Sequence, residues 1–127
     1  MTATRFIAAV AVCAAAVGLV GPRLLGGPAF VDEISIVNPS EYDVHVEVSG
    51  GDEEGWMSVT TATKRSTTAV QAVIDQGATW VFRFSTQGRA GGEVRMSRAD
   101  LRGDAWSVRI PDTVVDDLRR RGVPASP

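Results

Sequence analysis

From residue 31 onward, apolar and polar side chains alternate with a period of two. Tyr42, Val44, Val46 and Val48 take turns with Asp43, His45, Glu47 and Ser49. Successive side chains of a strand point to opposite faces, so the first set is assigned to a core and the second to water. The same signature predicts strands over 31–37, 56–63, 68–74 and 79–85, and again around Val94 and Met96 and around Trp106, Val108 and Ile110. Turn-forming clusters separate them: Asn38-Pro39-Ser40, the loop 50–55, Lys64-Arg65-Ser66, Asp75-Gln76-Gly77 and the glycine-rich stretch 87–92. About seven short strands at this spacing predict a mainly β fold, an antiparallel β-sandwich of immunoglobulin-like type. Long amphipathic helices do not alternate with the strands, which argues against a parallel α/β sheet.

Two short helical signals interrupt the pattern. Ser97-Arg98-Ala99-Asp100 has the spacing of a capping box and predicts one helical turn. After Pro111, acids come first and Arg119, Arg120 and Arg121 last, with Gly122 following. That order complements the helix dipole and supplies a C-terminal glycine cap. Val114, Val115 and Leu118 share one face, which predicts a short C-terminal helix docked on the sheets. Val123 is placed to close the cap, and 124–127 is expected to be a disordered tail.

The first thirty residues follow another rule. Phe6 to Val20 is apolar throughout, fifteen residues that span about 22 Å as a helix. A bilayer core needs roughly 30 Å. The segment 6–20 therefore reads as a signal peptide, with competing small-residue sites after Ala16, Gly18 and Ala29, or as a single transmembrane anchor ended by Arg23. The expected organisation is 1–30 as signal or anchor plus linker, 31–123 as an extracytoplasmic β-sandwich domain, and 124–127 as tail. The location implied is the plasma membrane, single-pass with the domain outside, or the exterior after secretion. If uncleaved, residues 6–20 make the membrane a partner.

Charge sharpens this division. All fifteen acids lie at or after Asp32, with eleven of the thirteen basic residues, leaving that part of the chain acidic by four charges. A nucleic-acid partner would want a basic face, and none is encoded. The one cysteine, Cys13, lies in the apolar segment, so the domain folds without a disulfide. Its surroundings, Val10 and Val12, fit an apolar helix better than a lipid-attachment site.

The chemistry-bearing residues are sparse. His45 is the sole histidine, on the polar side of its strand, flanked by Asp43 and Glu47. One histidine is too few for a zinc site, and no nucleophile motif accompanies it. Asp52-Glu53-Glu54 lacks the alternating ligands of a calcium loop, and Gly88 to Gly92 lacks the ending of a phosphate-binding loop. Neither a cofactor nor a catalytic set is expected. Trp80, Phe82, Phe84 and Trp106 alternate inside strands and read as core. Trp56 follows the acidic loop and is the aromatic expected to contact a partner.

Three stretches together carry a resemblance. They are Val37-Asn38-Pro39 through Tyr42-Asp43-Val44-His45-Val46, Asp75-Gln76-Gly77 through Trp80-Val81-Phe82, and Gly91-Gly92-Glu93. With the anchor-like N-terminus, they resemble small actinobacterial membrane-anchored or secreted β-domain proteins of unknown function, over most of 31–123. The resemblance implies an envelope location and brings no activity or site residues. The expected role is a noncatalytic binding or accessory module of the cell envelope with a protein partner there. The alternatives are a small secreted ligand carrier and a small hydrolase using His45.

Overall fold

A computed structural model describes residues 29–127. The predicted signal or anchor at 6–20 and Cys13 lie outside the described residues. Among the described residues, no helix is long and apolar enough to cross a membrane.

The described chain is mainly β, in two sheets, with a short C-terminal helix. Its strands are β1 (Phe30–Asn38), β2 (Val44–Gly50), β3 (Met57–Ala62), β4 (Ser66–Ile74), β5 (Thr79–Thr86), β6 (Arg89–Ser97) and β7 (Ser107–Arg109). Helix α1 (Arg98–Gly103) precedes β7, and α2 (Asp112–Arg120) follows it. One sheet has the order β4-β1-β7, the other β3-β2-β5-β6. In an immunoglobulin constant domain the first two strands pair with each other. Here β1 pairs with β4 and β7, and its ladder with β7 is parallel, Ser35 opposite Ser107 and Val37 opposite Arg109.

The chain divides into two compact units. Among the described residues, the smaller holds residues 29–34 together with Val70–Asp75. In it Val31, Ile34 and Val73 are buried. Gln71 Nε2 donates to Glu33 Oε1, and Asp75 N donates to the Ala29 carbonyl. Ala72 takes a positive φ of 55° inside β4, an unusual conformation for a residue with a Cβ.

The larger unit holds Ser35–Ala69 and Gln76–Pro127. The alternation read from the sequence sorts most of its side chains, but Ser49, assigned to water, is fully buried opposite the buried Val81, and Trp106, assigned to a strand and the core, is half-buried just before β7. Tyr42, Val44, Val46, Val48, Trp80, Phe82 and Phe84 are fully buried, and His45, Glu47 and Arg83 are partly exposed. Asn38 is a buried polar hub. Its Nδ2 donates to the carbonyls of Tyr42, Ala62 and Thr63, and its Oδ1 accepts from Ser40 N and Oγ. The ends of β1 and β3 are thus tied by one side chain, which a buried amide requires if it is not to remain unsatisfied.

Both helical signals hold. Ser97 Oγ accepts from Asp100 N at the start of α1. At the end of α2, Gly122 has φ +77°, Val123 N donates to the Leu118 carbonyl and Gly122 N to the Arg119 carbonyl. This pair of bonds is a Schellman cap, with Val123 buried beside it.

Two further expectations are corrected. The stretch 87–92 is not a loop. A two-residue turn, Gln87-Gly88, with positive φ at both positions (51° and 76°), closes the β5–β6 hairpin, as the twist of paired strands favours. β6 has already begun at Arg89, and a bulge follows, since Phe84 faces Gly92 while Ser85 faces Ala90. Gly91 sits in that bulge because α2 packs there: a Cβ on Gly91 would stand 2.9 Å from Val114 Cγ1. Nor are residues 124–127 a disordered tail. Ser126 is buried; its N donates to the Glu41 carbonyl, its Oγ accepts from Asp43 N, and its carbonyl accepts from Lys64 Nζ. The sequence reading missed this because nothing local marks a Pro-Ala-Ser-Pro stretch as pinned; its partners lie more than sixty positions away.

Candidate functional site

The polar side of the β3-β2-β5-β6 sheet gathers the residues singled out from the sequence. Ladder register sets them in rows. Thr61, His45 and Ser85 lie side by side across β3, β2 and β5. In the next row Ser58, Glu47, Arg83 and Glu93 cross all four strands.

Trp56, immediately before β3, is half-buried at this surface. The Arg83 guanidinium lies over its ring, 3.9 Å from the centroid. Arg83 is held in turn by Glu47, with Nε and Nη2 at 2.9 and 2.8 Å from the same carboxylate oxygen. A cation over an indole face is attracted by the ring quadrupole, so Glu47 fixes Arg83 and Arg83 covers one side of Trp56. The acidic loop before Trp56 is also pinned. Arg95 donates to the Gly51 carbonyl and pairs with Glu53 at 2.7 Å, and Asp52 Oδ1 accepts from Glu54 N.

His45 occupies the adjoining row. Ser58 Oγ lies 3.2 Å from its Nε2 and Thr61 Oγ1 3.4 Å from its Nδ1. A neutral imidazole donates through one nitrogen and accepts through the other, which two hydroxyls satisfy. The flanking acids are engaged elsewhere: Asp43 Oδ1 accepts from Lys64 N, and Glu47 holds Arg83. A serine and a histidine are therefore within reach of each other, but the nitrogen that a carboxylate would orient in a triad faces a threonine. Ser58 and Thr61 were not legible as histidine partners. They come from the next strand, and only the register of β2 against β3 brings them in.

Beside His45 runs an open groove of about 650 Å³. Thr61 and Ser85 contribute hydroxyls, the Gln87-Gly88 turn closes one end, and Pro124–Pro127 forms a wall. The wall is held by Ser126 and by Gln87 Nε2, which donates to the Pro124 carbonyl. Among the described residues, no group of three or more His, Cys, Asp or Glu could hold a metal ion.

The arginine run of α2 is spent within the molecule. Arg119 makes a two-pronged pair with Glu41 at 2.6 and 2.9 Å, and Asp117 takes Arg120 and Arg121. The Arg119 hydrogen bond holds the Glu41 carboxyl far below its usual range, at about 2.

The chain matches no protein-family model, no curated protein and no solved structure.

Proposed function

We propose that this protein is a noncatalytic binding or accessory module of the cell envelope. Residues 6–20 deliver or tether it, and the two sheets stack as an extracytoplasmic β-sandwich. The observation that carries the reading is the Trp56–Arg83–Glu47 stack. A half-buried indole, a guanidinium and a carboxylate are pre-set in one geometry on a sheet surface. Tryptophan and arginine held in place lose little freedom on binding and dominate the energetics of protein interfaces. The apolar segment 6–20 and the likeness to small actinobacterial envelope proteins support the location. The acidic balance speaks against nucleic acid.

The test is in-cell crosslinking of the tagged full-length protein, followed by mass spectrometry of what is captured. An envelope protein captured by the wild type and lost with Trp56→Ala supports the reading. Recovery of nothing above background contradicts it.

The Ser58–His45 contact favours a second reading, a small hydrolase acting in the groove. An activity found by substrate screening and abolished by both Ser58→Ala and His45→Ala supports it. A rate indifferent to both substitutions removes it. The same groove suits a small-ligand carrier, for which native mass spectrometry of the purified protein would reveal a bound mass that disappears on denaturation.

A further inference from the structure

Charged side chains are distributed unevenly among the strands. β1, β2, β5, β6 and β7 each carry at least one acid, lysine or arginine, whereas β3 and β4 carry none. Both are edge strands with a single neighbour; the opposite edges of the two sheets, β7 and β6, carry arginine. Edge strands usually carry charge, especially lysine, because their unpaired N–H and C=O groups otherwise recruit another strand. Two of the four edge strands, β3 and β4, thus lack the charge that β6 and β7 have.

The flanks of β3 say which strand fits. Asp52-Glu53-Glu54 precedes it, and Lys64-Arg65 follows. Glu54 lies six positions before Thr60 and Arg65 five positions after it. Both are exposed, and neither makes an ion pair within 4 Å among the described residues. When two such strands run antiparallel about a two-fold axis near Thr60, each acidic end meets the basic end of the other copy, and the match occurs twice. A parallel arrangement would set acid against acid. Thr60 then faces its own copy, and cross-strand threonine pairs are favourable in antiparallel sheets, while Ser58 faces Ala62, Val59 faces Thr61 and Met57 faces Thr63, all uncharged. The register shift of β3 against β2, where Val46 faces Thr60 and Glu47 faces Ser58, leaves Val59 as the extra residue. This bulge shortens the regular ladder without adding charge to it.

We propose that the β3 edge is a self-association surface, at which a second copy of this chain adds its own β3 antiparallel about Thr60 and joins the two four-stranded sheets into one. The interface has isologous two-fold symmetry and is small, so association depends on concentration.

The test uses the full-length protein with Cys13→Ser, which leaves no other thiol. Thr60→Cys places one thiol per copy next to the axis, where antiparallel neighbours come within disulfide reach. Arg109→Cys, at the exposed end of β7, is the control. The expected result is a disulfide dimer with Thr60→Cys under mild oxidation and at least a several-fold lower yield with Arg109→Cys. Without cysteines, Glu54→Arg should reduce the dimer fraction in sedimentation roughly five-fold, the scale of two surface charge pairs made repulsive. Combining it with Arg65→Glu should restore the dimer. Equal yields at positions 60 and 109, a wild-type monomer at all concentrations, or a dimer indifferent to both charge changes would overturn the proposal.

Discussion

The Arg83 guanidinium lies 3.9 Å from the centre of the Trp56 ring and is fixed there by Glu47. Three residues from three different segments are thereby set into one surface feature. Arg83 is over a third exposed along its side chain, so the arrangement contributes modestly to stability. Arg83→Ala should cost about 1 kcal/mol or less. Its signature should be spectroscopic: with Trp80 and Trp106 replaced by Phe, Trp56 emission should shift and become more accessible to iodide in Arg83→Ala. An unchanged spectrum would mean that the guanidinium does not cover the ring in solution.

Asn38 supports a different kind of prediction, because it is buried. Asn38→Ala removes one hydrogen-bond partner from each of three carbonyls and from Ser40 N and Oγ. The expected loss is about 2–4 kcal/mol by chemical denaturation, from hydrogen bonds lost at several buried groups. Asn38→Asp should be no better, since it replaces a donor with a buried charge. A loss under 1 kcal/mol would show that water reaches the site.

Gly91 tests the docking of α2. With Ala at this position, the new methyl would stand 2.9 Å from Val114 Cγ1 and 3.3 Å from the Phe84 carbonyl. Gly91→Ala should destabilise by about 1–3 kcal/mol. Adding Val114→Ala should recover part of that loss by opening room on the helix side. Additive losses in the double variant would show that the clash lies with the backbone of β5 instead.

The Glu41–Arg119 pair makes stability depend on acidity in a defined window. In the unfolded chain Glu41 titrates near 4.5, and in the folded protein it is lowered to about 2. The folded state therefore binds fewer protons between those values. The contribution is complete above about pH 4.5 and is lost as pH falls toward 2. Arg119→Gln should flatten the stability profile between pH 4.5 and 2 more than it lowers stability at pH 7. A profile with the same slope in both proteins would remove the pair from the account.

The parts legible in the sequence were those set by neighbouring residues. The valine ladder of β2, the aromatic face of β5, the Ser97 cap and the glycine end of α2 all follow from spacing within a few positions. The parts that were not legible depend on which segments meet. Strand order is one case: nothing local distinguishes β1 beside β7 from β1 beside β2. Gly91 and Gly92 read as a loop because glycine marks both a turn and a close approach, and only the position of Val114 separates the two. Pro124 to Pro127 read as a frayed end because its anchors are Asp43, Lys64 and Glu41. His45 was placed correctly on the polar side of its strand, but its hydroxyl partners come from β3 and required the register.

We propose that the surface around Trp56 binds a partner at the envelope. The most direct test is to place a photoreactive phenylalanine analogue at position 56 of the full-length protein, illuminate intact cells, and identify the adduct. A second probe at Arg102, on the exposed side of α1, serves as the control. The expected result is one reproducible envelope protein crosslinked from position 56 and absent from position 102. Adducts equal at both positions, or none at position 56 in cells that express the folded protein, would contradict it.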